Sequence, residues 1–123
     1  MAVCTIQNPI FELLHKRTSA KEKGVYSCCS ANAFVIRAAL RRAKANDTVV
    51  LVEATANQVN QNGGYTGMTP ADFRAFLDRL AKEEGMPAHR VLCGGDHLGP
   101  LTWQNLPEDA AMANAEKLIR GYV

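Results

Sequence analysis

The sequence predicts an α/β chain of about three βα units with parallel strands, and three observations predict it. Strand-like and helix-like segments alternate along the chain, which in compact folds means parallel strands joined by right-handed helical crossovers. The middle strand segment, TVVLVEA from Thr48 to Ala54, is apolar on both faces until Glu53, as in a strand covered on two sides. Each strand segment runs out into a polar or glycine-rich stretch: SCCSAN, then EATANQVNQNGGYTG, then GGDHLGP. A barrel and an open doubly wound sheet both satisfy this pattern, and a small three-layer sandwich is the alternative.

Taken in order, Asn8-Pro9 followed by Ile10, Leu13 and Leu14 reads as a capped amphipathic helix, so that residues 1–23 form a leading helix and linker. After Gly24, VYSCCS (Val25 to Ser30) reads as a short strand. The next segment, ANAFVIRAALRRAKA, puts Val35, Ile36, Ala39, Leu40 and Ala43 on one helical stripe. Asn46-Asp47 is a turn signal ahead of the Thr48–Ala54 strand. A long polar loop follows, and then TPADFRAFLDRLAKEEG. There Thr69 caps, Pro70 and Asp72 suit the first turn, Phe73, Phe76, Leu77 and Leu80 make the stripe, and Gly85 ends the helix. RVLCGG supplies a third strand, DHLGPLTWQNL a second polar loop, and PEDAAMANAEKLIRGYV a third helix with Pro107, Glu108 and Asp109 at its start. That helix still carries Leu118, Ile119, Tyr122 and Val123 at its end with no terminal cap. Three strands cannot close a barrel, which takes eight strands and about 250 residues. The expectation is that residues 1–123 are the amino-terminal part of a larger domain.

Composition narrows the function classes. With 47% apolar and 21% charged residues the chain is an ordinary globular domain rather than a disordered one. Its formal charge of +2 is dispersed, which argues against nucleic acid or an anionic membrane as partner. The tightest basic group, Arg37, Arg41, Arg42 and Lys44, reads as a solvated helix face. No apolar run approaches the roughly 18 residues of a membrane span. Glu12, His15, Lys16 and Arg17 interrupt any signal-peptide core, so a cytoplasmic location is expected. Cys4, Cys28, Cys29 and Cys93 lack the spacing of a zinc or redox motif and read as buried reduced thiols, with Cys28 and Cys29 on opposite strand faces.

In a parallel sheet, ligands bind where the loops leave the carboxyl ends of the strands. Asp96 and His97 are expected there, fenced by Gly94, Gly95 and Gly99-Pro100, the first two glycines leaving room for a ligand or a neighbouring strand. A carboxylate can move a proton, and a neutral imidazole can bind a catalytic metal. Adjacent side chains usually diverge, so separate jobs suit the pair; a turn Asp with a hydrogen-bonded His fits the residues as well. Glu53 closes an apolar strand on the parity of Val49 and Leu51, either as an acid, base or metal ligand or as a rim carboxylate paired with a cation. Gln58, Asn60, Gln61 and Asn62 ahead of Gly63-Gly64-Tyr65 offer amides for sugar hydroxyls and backbone N–H groups for phosphate, or else a polar lid. No Walker A, kinase glycine-loop, HRD or DFG pattern is present, so a nucleotide-dependent kinase is not supported. His15 and His89 read as structural or exposed.

The segments YSCCSANAFVIRAAL, EATANQVNQNGGYTGMTPADF and GGDHLGPLTWQ resemble the amino-terminal part of the GatZ/KbaZ-type subunit of D-tagatose-1,6-bisphosphate aldolase, whose older label is tagatose 6-phosphate kinase. The resemblance runs from about Gly24 onward. It implies a partial TIM (β/α)8 barrel related to class II aldolases. It also implies a non-catalytic, stabilising subunit that partners a zinc-dependent catalytic subunit in galactitol, tagatose or amino-sugar catabolism, with sugar phosphate as a ligand. By similarity to class II aldolases, Asp96 takes the proton-transfer position and His97 the metal position. Zinc or another divalent metal is then expected in the full-length parent, and no tight metal binding by this segment. Ketohexose 4-epimerase activity in some relatives implies the alternative, a metal-dependent aldolase or epimerase.

Overall fold

The computed structural model describes residues 24–123. The expected leading helix around Asn8-Pro9, together with Cys4 and His15, lies outside the described residues. Strands β1 (Ser27–Cys29), β2 (Val50–Thr55) and β3 (Val91–Asp96) alternate with helices α1 (Ala33–Ala45), α2 (Pro70–Glu84) and α3 (Glu108–Tyr122). They form one parallel sheet in the order β1-β2-β3, with Cys29 opposite Glu53 and Glu53 opposite Gly94. Short 3-10 turns at Ala88–Arg90 and Pro100–Trp103 precede β3 and α3. The α/β class with parallel strands is as expected, and the strands begin one or two residues later than the sequence suggests. No helix among the described residues is long and apolar enough to cross a membrane.

Local chemistry sets the helix ends. Asn32 caps α1, its Oδ1 accepting from the Phe34 and Val35 amides at 2.9 and 3.4 Å. Thr69 and Asp72 form a reciprocal capping box at the start of α2, with Pro70 in the first turn, and Gly85 ends the helix in the left-handed region at φ 64°. At α3, Glu108 and Asp109 occupy the first turn, where they complement the helix dipole.

One face of the sheet is covered by helices and the other is open. Val50, Val52 and Ala54 of β2 are buried together with Ile36 and Leu40 of α1 and Phe73, Leu77 and Leu80 of α2. A second cluster of Ala56, Trp103, Ala111, Ala115 and Leu118 seats α3. The alternate residues Leu51, Glu53 and Thr55 are only half-buried. The two-sided burial expected of β2 is therefore met on one side among the described residues.

The basic residues of α1 are not simply solvated, as their spacing had suggested. Arg37 and Arg41 reach Glu84 of α2 at 2.8 and 2.6 Å, Arg37 also pairs with Glu83, and Lys44 Nζ donates to the Glu84 carbonyl at 3.0 Å. Helical spacing shows which side chains share a face but not that a facing helix brings two acids to it. The two guanidinium groups hold the Glu84 carboxyl down to about 2 from its ordinary 4.5. A carboxylate depressed on folding adds stability above its unfolded pKa and loses it as pH falls through the folded value. The stability difference between the native chain and Glu84→Gln is accordingly constant near neutrality and disappears between about pH 4.5 and about 2. Denaturant melts across that range check this, and a difference unchanged at pH 2.5 would refute it.

Candidate functional site

β2 and β3 deliver the two expected carboxylates to the same open face. In β2, Glu53 follows Leu51 by two residues; in β3, Asp96 follows Gly94 by two, and the register pairs Glu53 with Gly94 and Thr55 with Asp96. β1 adds Ser27 and Cys29 to that face. The Ser27 hydroxyl donates to Glu53 Oε2, and the Cys29 thiol donates to Asp96 Oδ2 at 3.2 Å. Neither was singled out from the sequence, although their two-residue spacing, once the strand is granted, puts them on one side. Cys29 is exposed on this face rather than buried, while Cys28, on the other side of the strand, and Cys93 are half-buried against the core.

The Cys29–Asp96 contact says how the sheet is shaped. In a flat sheet β1 and β3 would be about 9.6 Å apart, and Asp96 stands two residues, or about 6.6 Å, further along than the position level with Cys29. Side chains of this length close that distance only if the sheet curls. The open face is its concave side.

At the end of β3 the chain turns at His97, which has φ 53°. This left-handed geometry folds the imidazole back on its neighbour, leaving His97 Nδ1 2.8 Å from Asp96 Oδ1. Of the two readings, diverging side chains or a turn Asp with a hydrogen-bonded His, the contact at this positive φ matches the second. Asp96 is held below the usual carboxylate range by its hydrogen bonds from Cys29 and then from His97. Cys29 is pushed up to about 11, first by burial and then by Asp96 and Glu53, so the thiol is protonated at neutral pH. With Nδ1–H donated to Asp96, a neutral His97 keeps its Nε2 lone pair, the arrangement in which histidines commonly ligate metals. Among the described residues no group of three or more His, Cys, Asp and Glu is arranged to hold a metal. The corner itself thus offers one imidazole position among the described residues.

The two glycines before Asp96 have different tasks. A Cβ on Gly94 would meet the Glu53 side chain at 3.2 Å, so its absence gives Glu53 the space it occupies. A Cβ on Gly95 would strike the Leu98 side chain at 2.6 to 2.9 Å. Both spaces are filled by the protein's own side chains rather than left for a ligand.

The amide-rich loop between β2 and α2 is wired largely to itself. Asn60 is buried, its Nδ2 donating to the Ala56 carbonyl at 2.7 Å and its Oδ1 accepting from the Asn62 and Gly64 amides at 2.8 and 3.2 Å. Gln58 Oε1 accepts from the Thr55 amide at 2.8 Å, and the Gly63 amide donates to the Asn60 carbonyl at 2.8 Å. Gln61 ties the loop to Asn114 of α3 at 3.2 Å. The Asn60 side chain, Gln58 Oε1 and the Gly63 and Gly64 amides are thus bonded within the loop, as a buried amide such as Asn60 requires. Tyr65, in the same loop, is 74% exposed. A separate open cleft of about 760 Å³ lies beside His97, lined by Thr55, Asn57, Leu101, Leu106 and Met112 among others, and includes neither Glu53 nor Asp96. His89 is exposed in the turn before β3, away from this corner.

The family model described as D-tagatose-1,6-bisphosphate aldolase subunit GatZ/KbaZ-like matches residues 10–123. The chain belongs to the GatZ/KbaZ-like family. A solved structure titled a probable tagatose 6 phosphate kinase from Sinorhizobium meliloti 1021 is 53% identical and superposes with a TM-score of 0.78. That match covers 81% of this chain and 26% of the other, so the present chain spans about a quarter of the length of that relative. The kinase title belongs to that protein, whereas the GatZ/KbaZ-like description names an aldolase subunit.

Proposed function

We propose that this chain is the amino-terminal part of a subunit of D-tagatose-1,6-bisphosphate aldolase that stabilises a separate catalytic subunit in the cytoplasm. The family match over residues 10–123 carries this reading. In it the described strands are the first three of a TIM barrel. The curl of the sheet supports that architecture: side chains of alternate strands share a layer inside such barrels, as Cys29 of β1 and Asp96 of β3 do. The loop frame built by Gln58, Asn60, Gly63 and Gly64 then shapes one wall at the barrel mouth, where a sugar phosphate would approach. The test is turnover of tagatose bisphosphate by a catalytic subunit with and without the complete subunit carrying this sequence. Unchanged turnover and unchanged thermal stability of the catalytic subunit would refute the auxiliary role.

A second reading is favoured by the acidic corner itself. Glu53 and Asp96 share the concave face, and His97 adjoins Asp96 with Nε2 unspent, which suits metal-dependent aldol or epimerisation chemistry on a ketose or its phosphate. In this reading Asp96 transfers the proton, Glu53 is a second acid or base, and His97 supplies one ligand to zinc or another divalent metal, the remaining ligands coming from outside the described residues. The metal would polarise the sugar's oxygen. In the complete subunit, Asp96→Asn lowers ketose conversion by 100-fold or more, in line with roughly 10²–10⁴-fold for loss of a general acid or base. Conversion within threefold of the unaltered subunit removes Asp96 from the chemistry.

A further inference from the structure

The protein holds carboxylates in two different ways. On its outer side Glu84 is gripped by the guanidinium groups of Arg37 and Arg41. On the concave face the donors are neutral: the Ser27 hydroxyl to Glu53 and the Cys29 thiol to Asp96. Arginine pairing neutralises a carboxylate, whereas a hydroxyl or thiol orients it and leaves its charge in place. Asp96 is anchored at both oxygens, Oδ2 by Cys29 at 3.2 Å and Oδ1 by His97 at 2.8 Å, which fixes the plane of the carboxylate. Glu53 gains its fixed place from the room left by Gly94 and the donor supplied by Ser27.

From this geometry we infer that β1 is the positioning strand of the acidic corner, with Cys29 setting the orientation of Asp96 and Ser27 that of Glu53. The inference rests on the second reading above, in which Asp96 touches the sugar. A thiol is a weak donor. It holds the carboxylate in place between turnovers and yields the oxygen when substrate arrives. The raised pKa of Cys29 agrees with a donor that stays protonated at neutral pH.

The test has a spectroscopic arm and a kinetic arm. Infrared difference spectra of this chain against Cys29→Ser isolate the Cys29 S–H stretch, which is displaced to low frequency by its hydrogen bond and returns toward the unbonded position in Asp96→Ala, which removes the acceptor. In the complete subunit, Cys29→Ala lowers ketose turnover about 10- to 100-fold, as removal of a supporting residue typically does. Cys29→Ser, which restores a donor, recovers most of it, with both variants keeping the unaltered melting temperature. An undisplaced band overturns the positioning role whatever the activity. A displaced band with full turnover in Cys29→Ala also overturns it and leaves the second reading intact. Absence of ketose turnover by the unaltered complete subunit defeats the second reading, and the positioning role with it, even when the band is displaced.

Discussion

Phe73→Ala lowers the unfolding free energy by about 3–5 kcal/mol, a large part of the roughly 5–15 kcal/mol that holds a domain together. Phe73 is fully buried on the stripe of α2 that also carries Leu77 and Leu80, and its neighbours include Val50 and Val52 of the central strand through the same cluster. The loss combines transfer of an aromatic ring to water with a cavity that α2 and the sheet cannot both move to fill. Phe76 makes a useful comparison. Its ring centroid lies 6.5 Å from that of Phe73, but it is only half-buried, with the Arg79 guanidinium 5.3 Å from its ring centre. Phe76→Ala therefore costs less. Urea melts of both variants decide the matter, and a loss below about 1 kcal/mol for Phe73→Ala would contradict the packing described.

Gly64→Ala is the second large effect. Gly64 sits at φ 54°, and an added Cβ would lie 2.3 Å from the Gln58 carbonyl oxygen and 2.8 Å from that of Asn57. The left-handed backbone alone costs a non-glycine residue about 1–2 kcal/mol, and the backbone collision can be relieved only by opening the loop. The Tyr65 amide donates to Asn57 and the Thr66 amide to Gln58, at 2.9 and 3.3 Å, so these are the bonds that break. Amide exchange of Tyr65 and Thr66 accelerates most in Gly64→Ala, and because total stability falls by about 3 kcal/mol the core strand amides, which exchange through global unfolding, lose protection on the order of 100-fold as well. Gly67→Ala separates the two causes. Gly67 has φ 78° with nothing within 4 Å of its missing Cβ, so its replacement costs only the conformational part. Equal effects at the two positions would contradict the collision.

Much of the scaffold could be read directly from the residues. The run Thr48 to Ala54 reads as a strand, although it is covered on one side rather than two among the described residues, and Thr69, Pro70, Asp72 and Gly85 bracket α2 by local hydrogen-bond chemistry that needs no tertiary knowledge. Glu53 and Asp96 were also visible, because a charge ending an apolar strand and an acid after two glycines stand out. Their partners were not. Cys29 meets Asp96 only because the sheet curls, and curvature is a property of the assembled strands rather than of either segment. His97 was read either as diverging from Asp96 or as a hydrogen-bonded partner of a turn Asp, and its positive φ accompanies the contact that decides between them. Asn60 shows the limit of counting donors and acceptors. The residue type says that an amide needs partners, not that the Ala56 carbonyl and the Asn62 and Gly64 amides will be those partners. Arg37 and Arg41 were misjudged for the same reason, since Glu83 and Glu84 lie more than forty residues away in sequence.

The order in which the strands lie side by side matches the order in which a ribosome makes them. Each newly synthesised strand can add to the exposed edge of the one just before it, and each helix seals the preceding strand without waiting for distant chain. Folding during translation, from the front end backward, is a natural mode for such a molecule. While the chain is still being made, the edge of β3 is the surface a chaperone would have to guard.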